Sequence, residues 1–77
     1  KNKKNKTRVF PNPFTDKIII DIAINDKKEF KIYSNLGKLV LKGIIDKRSQ
    51  SIDLSPLPQS VYLLKCNNQS FKIFKIR

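Results

Sequence analysis

Seventy-seven residues, 39% of them apolar, make one small domain, too short to bury more than about 60% of its unfolded surface and too apolar for a disordered segment. The single cysteine, Cys66, excludes an internal disulfide, and the lack of histidine removes the commonest general base and neutral metal ligand. The formal charge of +11 gathers at the ends: residues 1–8 hold five basic groups and 65–77 hold four, with no acid in either, while 9–64 set eight basic groups against six acidic, so no stripe for a phosphate backbone is expected.

Residues 1–6 contain only Lys and Asn, a like-charged polar run that cannot bury apolar surface and reads as a linker. The domain is therefore expected over 7–77. A short strand over 7–10 meets Pro11-Asn12-Pro13, where each proline fixes its φ and removes a backbone donor, so the strand must stop. Over 17–24 the chain alternates strictly, with Ile18, Ile20, Ile22 and Ile24 on one side and Lys17, Ile19, Asp21 and Ala23 on the other. A turn over 25–28 and a hairpin to a strand over 29–34, with Phe30 and Ile32 facing together, are expected next.

Asn35-Leu36-Gly37 is a second turn signal, since glycine takes positive φ without a Cβ clash. Residues 38–45, rich in β-branched and apolar side chains, complete that hairpin. Asp46-Lys47-Arg48 breaks the strand, and 49–54 presents Ile52 and Leu54 inward. Prolines in 55–60 prevent strand or helix and make a corner whose Leu57 can plug one end of the core. Residues 61–66 place Tyr62, Leu64 and Cys66 on one face, Asn67-Asn68 turns, and 70–76 closes the domain. Seven short strands, turn signals every 8–12 residues or so and no helical period predict an all-β fold, an immunoglobulin-like antiparallel β-sandwich.

The sequence offers little chemistry. Asp16, Asp21, Asp26, Glu29, Asp46 and Asp53 fall mostly in turns or on outward faces and form no recognisable pair, and Asp26 with Glu29 supplies too few oxygens for a hard cation. Cys66 has no histidine to activate it and sits in an apolar alternation, so it reads as a small core residue. Two glycines, Gly37 and Gly43, make no phosphate loop. Phe71 and Phe74 interleave with Lys72 and Lys75, yet on a strand the two rings face opposite sides and cannot form one stacking platform for a nucleic acid. No catalytic residue, cofactor or metal is expected. The longest isoleucine-rich stretch, 18–24, is interrupted by Asp21, far from the run of about 18 apolar residues that spans a membrane. No signal peptide is recognisable, and the opening at Lys1 leads us to expect a longer precursor.

Several stretches together resemble a known family. Phe10-Pro11-Asn12-Pro13-Phe14, the turn Ile32-Tyr33-Ser34-Asn35-Leu36-Gly37-Lys38-Leu39-Val40, the corner Leu57-Pro58-Gln59-Ser60-Val61-Tyr62 and the terminal Lys72-Ile73-Phe74-Lys75 are similar in order and spacing to the type A C-terminal sorting domain of proteins exported by the type IX secretion system of Bacteroidota. Ser60 stands where that family usually has glycine. The resemblance covers about residues 7–77. It implies a seven-stranded immunoglobulin-like domain without enzymatic activity that directs its parent across the outer membrane and is then cut away by a surface sortase, with 1–6 as the candidate cleavage region.

Translocon and sortase components are the partners the resemblance implies, and the cargo is linked to anionic lipopolysaccharide in many members; the isolated domain is expected to be a monomer. The recognition residues it implies are Pro11, Asn12, Pro13, Gly37, Tyr62, Lys72, Ile73, Phe74, Lys75, Ile76 and Arg77. The alternative is an adhesive immunoglobulin-like module that stays on a mature surface protein.

Overall fold

The computed structural model describes residues 7–22, 27–66 and 68–77. Seven strands run in chain order: β1 (Thr7–Phe10), β2 (Lys17–Ile22), β3 (Lys28–Ser34), β4 (Leu39–Ile45), β5 (Ser49–Asp53), β6 (Ser60–Cys66) and β7 (Gln69–Lys75). They form a three-stranded sheet ordered β1-β2-β5 and a four-stranded sheet ordered β4-β3-β6-β7, with every strand pair antiparallel. Among the described residues there is no helix.

The alternations in the sequence set the layers. Ile18, Ile20 and Ile22 of β2 are fully buried between the sheets, facing a core that includes Phe30 and Ile32 of β3, Leu64 of β6 and Ile73 of β7. Leu54 continues the inward face of β5, and the half-buried Leu57 packs against the core from the corner. Cys66 is buried on the same face as Tyr62 and Leu64. The expected continuation of β2 to Ala23 and Ile24, and the turn residues Asn25 and Asp26, lie outside the described residues.

One connection differs from expectation. β2 does not form a hairpin with β3; it lies between β1 and β5, so the chain leaves one sheet and enters the other. Period-2 alternation says which face of a strand is buried, and both sheets bury theirs in the same core, so the pattern is blind to the strand's edge partners. The predicted hairpins that do form are β3–β4 and β6–β7. β4 pairs beside β3, whereas the constant-type immunoglobulin sandwich places its fourth strand beside the fifth.

Local chemistry explains three details. Gly37 closes the β3–β4 turn at φ 87°, and its N–H donates to the Ser34 carbonyl at 2.9 Å, a backbone state that suits a residue without Cβ. Gly43 faces Phe30 across the ladder: a Cβ there would lie 2.8 Å from Phe30 Cε2, so the bare backbone makes room for the ring. At the corner, the Tyr62 hydroxyl donates to the Pro58 carbonyl, the tyrosine corner of immunoglobulin-like sandwiches, in which a tyrosine near the start of the sixth strand ties back to backbone a few residues upstream. Among the described non-glycine residues only Asn68 has positive φ, so Ser60 starts β6 in an ordinary conformation.

Candidate recognition site

The strap that follows β1 runs beside β7. Pro11 and Pro13 have no N–H, so this segment cannot build a regular ladder, and the Asn12 side chain takes over. Its Nδ2 donates to the Lys72 carbonyl at 2.9 Å, and its Oδ1 accepts from the Phe74 N–H at 2.9 Å. One turn later Phe14 resumes main-chain pairing: its N–H donates to the Phe74 carbonyl and its carbonyl accepts from the Ile76 N–H, each at 2.9 Å, through a parallel bridge to Lys75. These four bonds occupy the outward backbone groups of the terminal segment from Lys72 to Ile76. The Phe14 ring, 1% exposed, seals the same side of the core.

A second amide does the same at the opposite edge of the four-stranded sheet. Gln50 of β5 donates from Nε2 to the Ile44 carbonyl at 3.0 Å and accepts from the Asp46 N–H at 3.2 Å. In both cases one carboxamide joins the carbonyl of residue i and the N–H of residue i+2, the two groups that an added strand would use. Nothing in the local sequence marks Gln50; only the folded sandwich brings it beside β4.

The terminal strand shows two faces. Phe71, Ile73 and Lys75 point into the sandwich, and Ile73 is fully buried. Lys75 is only 5% exposed; its apolar stem lies along the core while its ammonium donates to the Arg77 carbonyl. Lys72 is exposed, Phe74 is 42% and Ile76 50% exposed, and Arg77 is exposed. Pro11, Asn12, Pro13 and Gly37 are exposed as well, whereas Tyr62 is buried in the corner.

The outer face of the four-stranded sheet carries an open groove of about 720 Å³ lined by Tyr33, Gly37, Val61, Leu63, Lys65 and Lys72, among others. It brings Gly37 and Lys72 together with residues that sequence reasoning did not single out. The outward half of the β3 and β6 alternations was the available signal for Tyr33 and Leu63. Lys65 Nζ stands 5.6 Å from the centre of the Tyr33 ring, within range of a cation–π attraction.

Three ionisable groups among the described residues are shifted by their surroundings. Burial pushes the Cys66 thiol up, with the nearby Lys28 opposing, which keeps it protonated and inert. Burial likewise pushes the Tyr62 phenol up. The Asp53 carboxyl is held below its ordinary value first by the Ser55 backbone N–H, which donates to its Oδ1 at 3.0 Å. Among the described residues no three His, Cys, Asp or Glu side chains gather as a metal site, and no helix is long and apolar enough to cross a membrane. The geometry presents a folded domain with a strapped terminal strand and a grooved sheet face.

Comparison with known proteins gives one match. A family model described as the secretion system C-terminal sorting domain covers residues 8–76. No curated protein and no solved structure matches the chain significantly.

Proposed function

The chain belongs to the secretion system C-terminal sorting domain family, and we propose that its terminal strand, strapped in place by Pro11-Asn12-Pro13-Phe14, is the element that the export machinery reads. Membership makes the domain a type IX secretion signal, a family of sorting domains rather than enzymes, borne by secreted or cell-surface proteins. On this reading a translocon component engages Lys72, Phe74, Ile76 and Arg77, carries the parent across the outer membrane, and a surface sortase then cuts within residues 1–6.

The observation that supports the reading most directly is the split of the terminal strand into buried and displayed residues. Ile73 anchors it, while Phe74 and Ile76 remain about half exposed and display an apolar pair between the exposed Lys72 and Arg77. Sortase cleavage and a link of the cargo to anionic lipopolysaccharide are parts of the same proposal, supported by the resemblance to exported relatives.

The test is a periplasm-directed reporter fused to residues 1–77 and expressed in a type IX-competent host. Deleting 71–77 would not be informative, because it also removes Ile73 from the core. The decisive variant is Lys72→Ser with Phe74→Ser, which changes only outward side chains. The reporter carrying the native domain is expected at the surface and the double variant in the periplasm, with the variant's thermal unfolding unchanged in vitro. Surface delivery of the double variant at the native level would refute the assignment. Mass spectrometry of the released reporter then reports whether residues 7–77 are removed.

A further inference from the structure

The four-stranded sheet stacks like charges across its outer face. Lys31 of β3 lies directly opposite Lys42 of β4 on one side and Lys65 of β6 on the other. Neighbouring strands are about 4.8 Å apart, so three ammonium-bearing stems rise side by side, an arrangement that opposes folding. The other charged pairs facing across a ladder have opposite signs: Lys17 with Asp53, and Arg8 with Asp21, whose Nη2 and Oδ2 lie 3.0 Å apart. Among the described residues no carboxylate forms a salt bridge with Lys31, Lys42 or Lys65; Glu29 stands on the same face, opposite Ile44.

The adjoining row is apolar from Leu39 to Leu63 and ends in Lys72. Tyr33 lies opposite Leu39 and Leu63, and Leu63 opposite Lys72. Two residues along a strand separate the rows, about 6.6 Å, and Tyr33, Leu63, Lys65 and Lys72 all line the groove. Backbone groups on a sheet face are already paired within the ladders, and the two outer edges are occupied at Ile44, Asp46, Lys72 and Phe74 by the Gln50 and Asn12 amides. Recognition at this face must therefore run through side chains rather than through strand addition.

We propose that this face binds an acidic segment of a protein partner, an extended stretch running along the strands, in which a carboxylate meets the row of Lys31, Lys42 and Lys65 while an apolar side chain two positions away enters the groove between Tyr33 and Leu63. The 6.6 Å or so between the rows equals the i to i+2 spacing of an extended chain, so one peptide face alternating acidic and apolar residues satisfies both rows at once. Repulsion among the lysines, which costs the free domain stability, is relieved by the bound carboxylate. The inference goes beyond recognition of the terminal strand and stands or falls independently of it.

The test uses the full 77-residue chain, isotopically labelled for NMR, titrated with a synthetic peptide of extended type whose successive same-face residues alternate Glu and Leu. The expected result is saturable shifts at Lys31, Tyr33, Leu63 and Lys65, weakened by added salt. Lys31→Gln with Lys65→Gln should weaken binding roughly tenfold or more while leaving or raising the melting temperature. Undiminished binding by that variant, shifts confined to residues 1–8, or binding seen only with anionic phosphatidylglycerol vesicles or a thymidine oligonucleotide would overturn the proposal. A variant that melts lower would overturn the claim that the lysine row is held against stability, and Lys42→Gln alone, at the exposed edge, then measures the binding contribution in a fold left intact.

Discussion

The Phe74 N–H donates to Oδ1 of Asn12 at 2.9 Å, across 62 positions of sequence. The same Asn12 side chain donates to the Lys72 carbonyl, so one carboxamide supplies two of the bonds a neighbouring strand would make at the edge of β7, and the Phe14 main chain supplies the next two. Flanking prolines make this economical, because neither presents an N–H that would need a partner of its own.

Asn12→Ala removes both bonds. At an exposed edge water replaces them in part, so the expected loss is about 1 kcal/mol in urea unfolding, or roughly 4–8 °C in melting temperature for a domain this size. Amide exchange at Phe74 should accelerate while exchange in β3 follows only the global change. Asn12→Asp, which keeps the acceptor and loses the donor, should fall between. Unchanged exchange at Phe74 in Asn12→Ala would show that the strap does not close this edge.

Tyr62→Phe deletes the hydroxyl that donates to the Pro58 carbonyl and leaves the buried ring in place. A loss of about 1 kcal/mol is expected from urea unfolding. Tyr33 lies on the outer face and its hydroxyl makes no hydrogen bond among the described residues, so Tyr33→Phe should change stability by a few tenths at most. Equal effects at the two sites would remove the corner from the account of stability.

Gly43→Val places a branched side chain where Phe30 Cε2 and Cζ would stand 2.8 and 2.9 Å from the new Cβ. Overpacking of this kind costs about 1–3 kcal/mol, outweighing the higher strand propensity of valine. Combining it with Phe30→Leu should recover part of the loss relative to the sum of the single variants, measured as a double-mutant cycle.

Alkaline pH should weaken the domain. Burial raises the Cys66 thiol and the Tyr62 phenol above their ordinary values, so the unfolded chain releases these protons first. Their contribution is complete below the unfolded thiol value of about 8.5 and is lost as pH rises through the folded values. Acid acts through Asp53, which is shifted down: its contribution is present above about pH 3.9 and lost as pH falls through the folded value. Stability measured by urea unfolding from pH 7 to 10 should decline less steeply in Cys66→Ala than in the native chain, and the native thiol should react slowly with a disulfide reagent at pH 7. A fast reaction would place Cys66 outside the core.

Much of the fold was legible because its signals are local. Ile18, Ile20 and Ile22 alternate within six residues, Pro11 and Pro13 stop a strand wherever they occur, and Gly37 takes the positive φ that its turn requires. Seven strands and the inward faces of β2, β3, β5 and β6 follow from such signals, as does the placing of Phe71 and Phe74 on opposite faces, but the fold decided that Phe71 packs on the core and Phe74 is left half exposed. The hairpin expected from β2 to β3 failed for the complementary reason: the isoleucine alternation is satisfied equally by either sheet. The lysine row was hidden likewise, since Lys31, Lys42 and Lys65 each look like ordinary solvated positions until registers align them.

By itself the sequence determined the element types, the buried faces of β2, β3, β5 and β6, and the family. Tertiary structure alone decided which strands are neighbours, that Asn12 and Gln50 close the two edges of one sheet, that Lys75 turns inward while Phe74 faces out, and that three lysines stand abreast. Side-chain alternation and backbone restriction act over a few bonds and can be read along the chain. Edge pairing and charge juxtaposition depend on residues tens of positions apart, whose meeting is set only when both sheets close over one core.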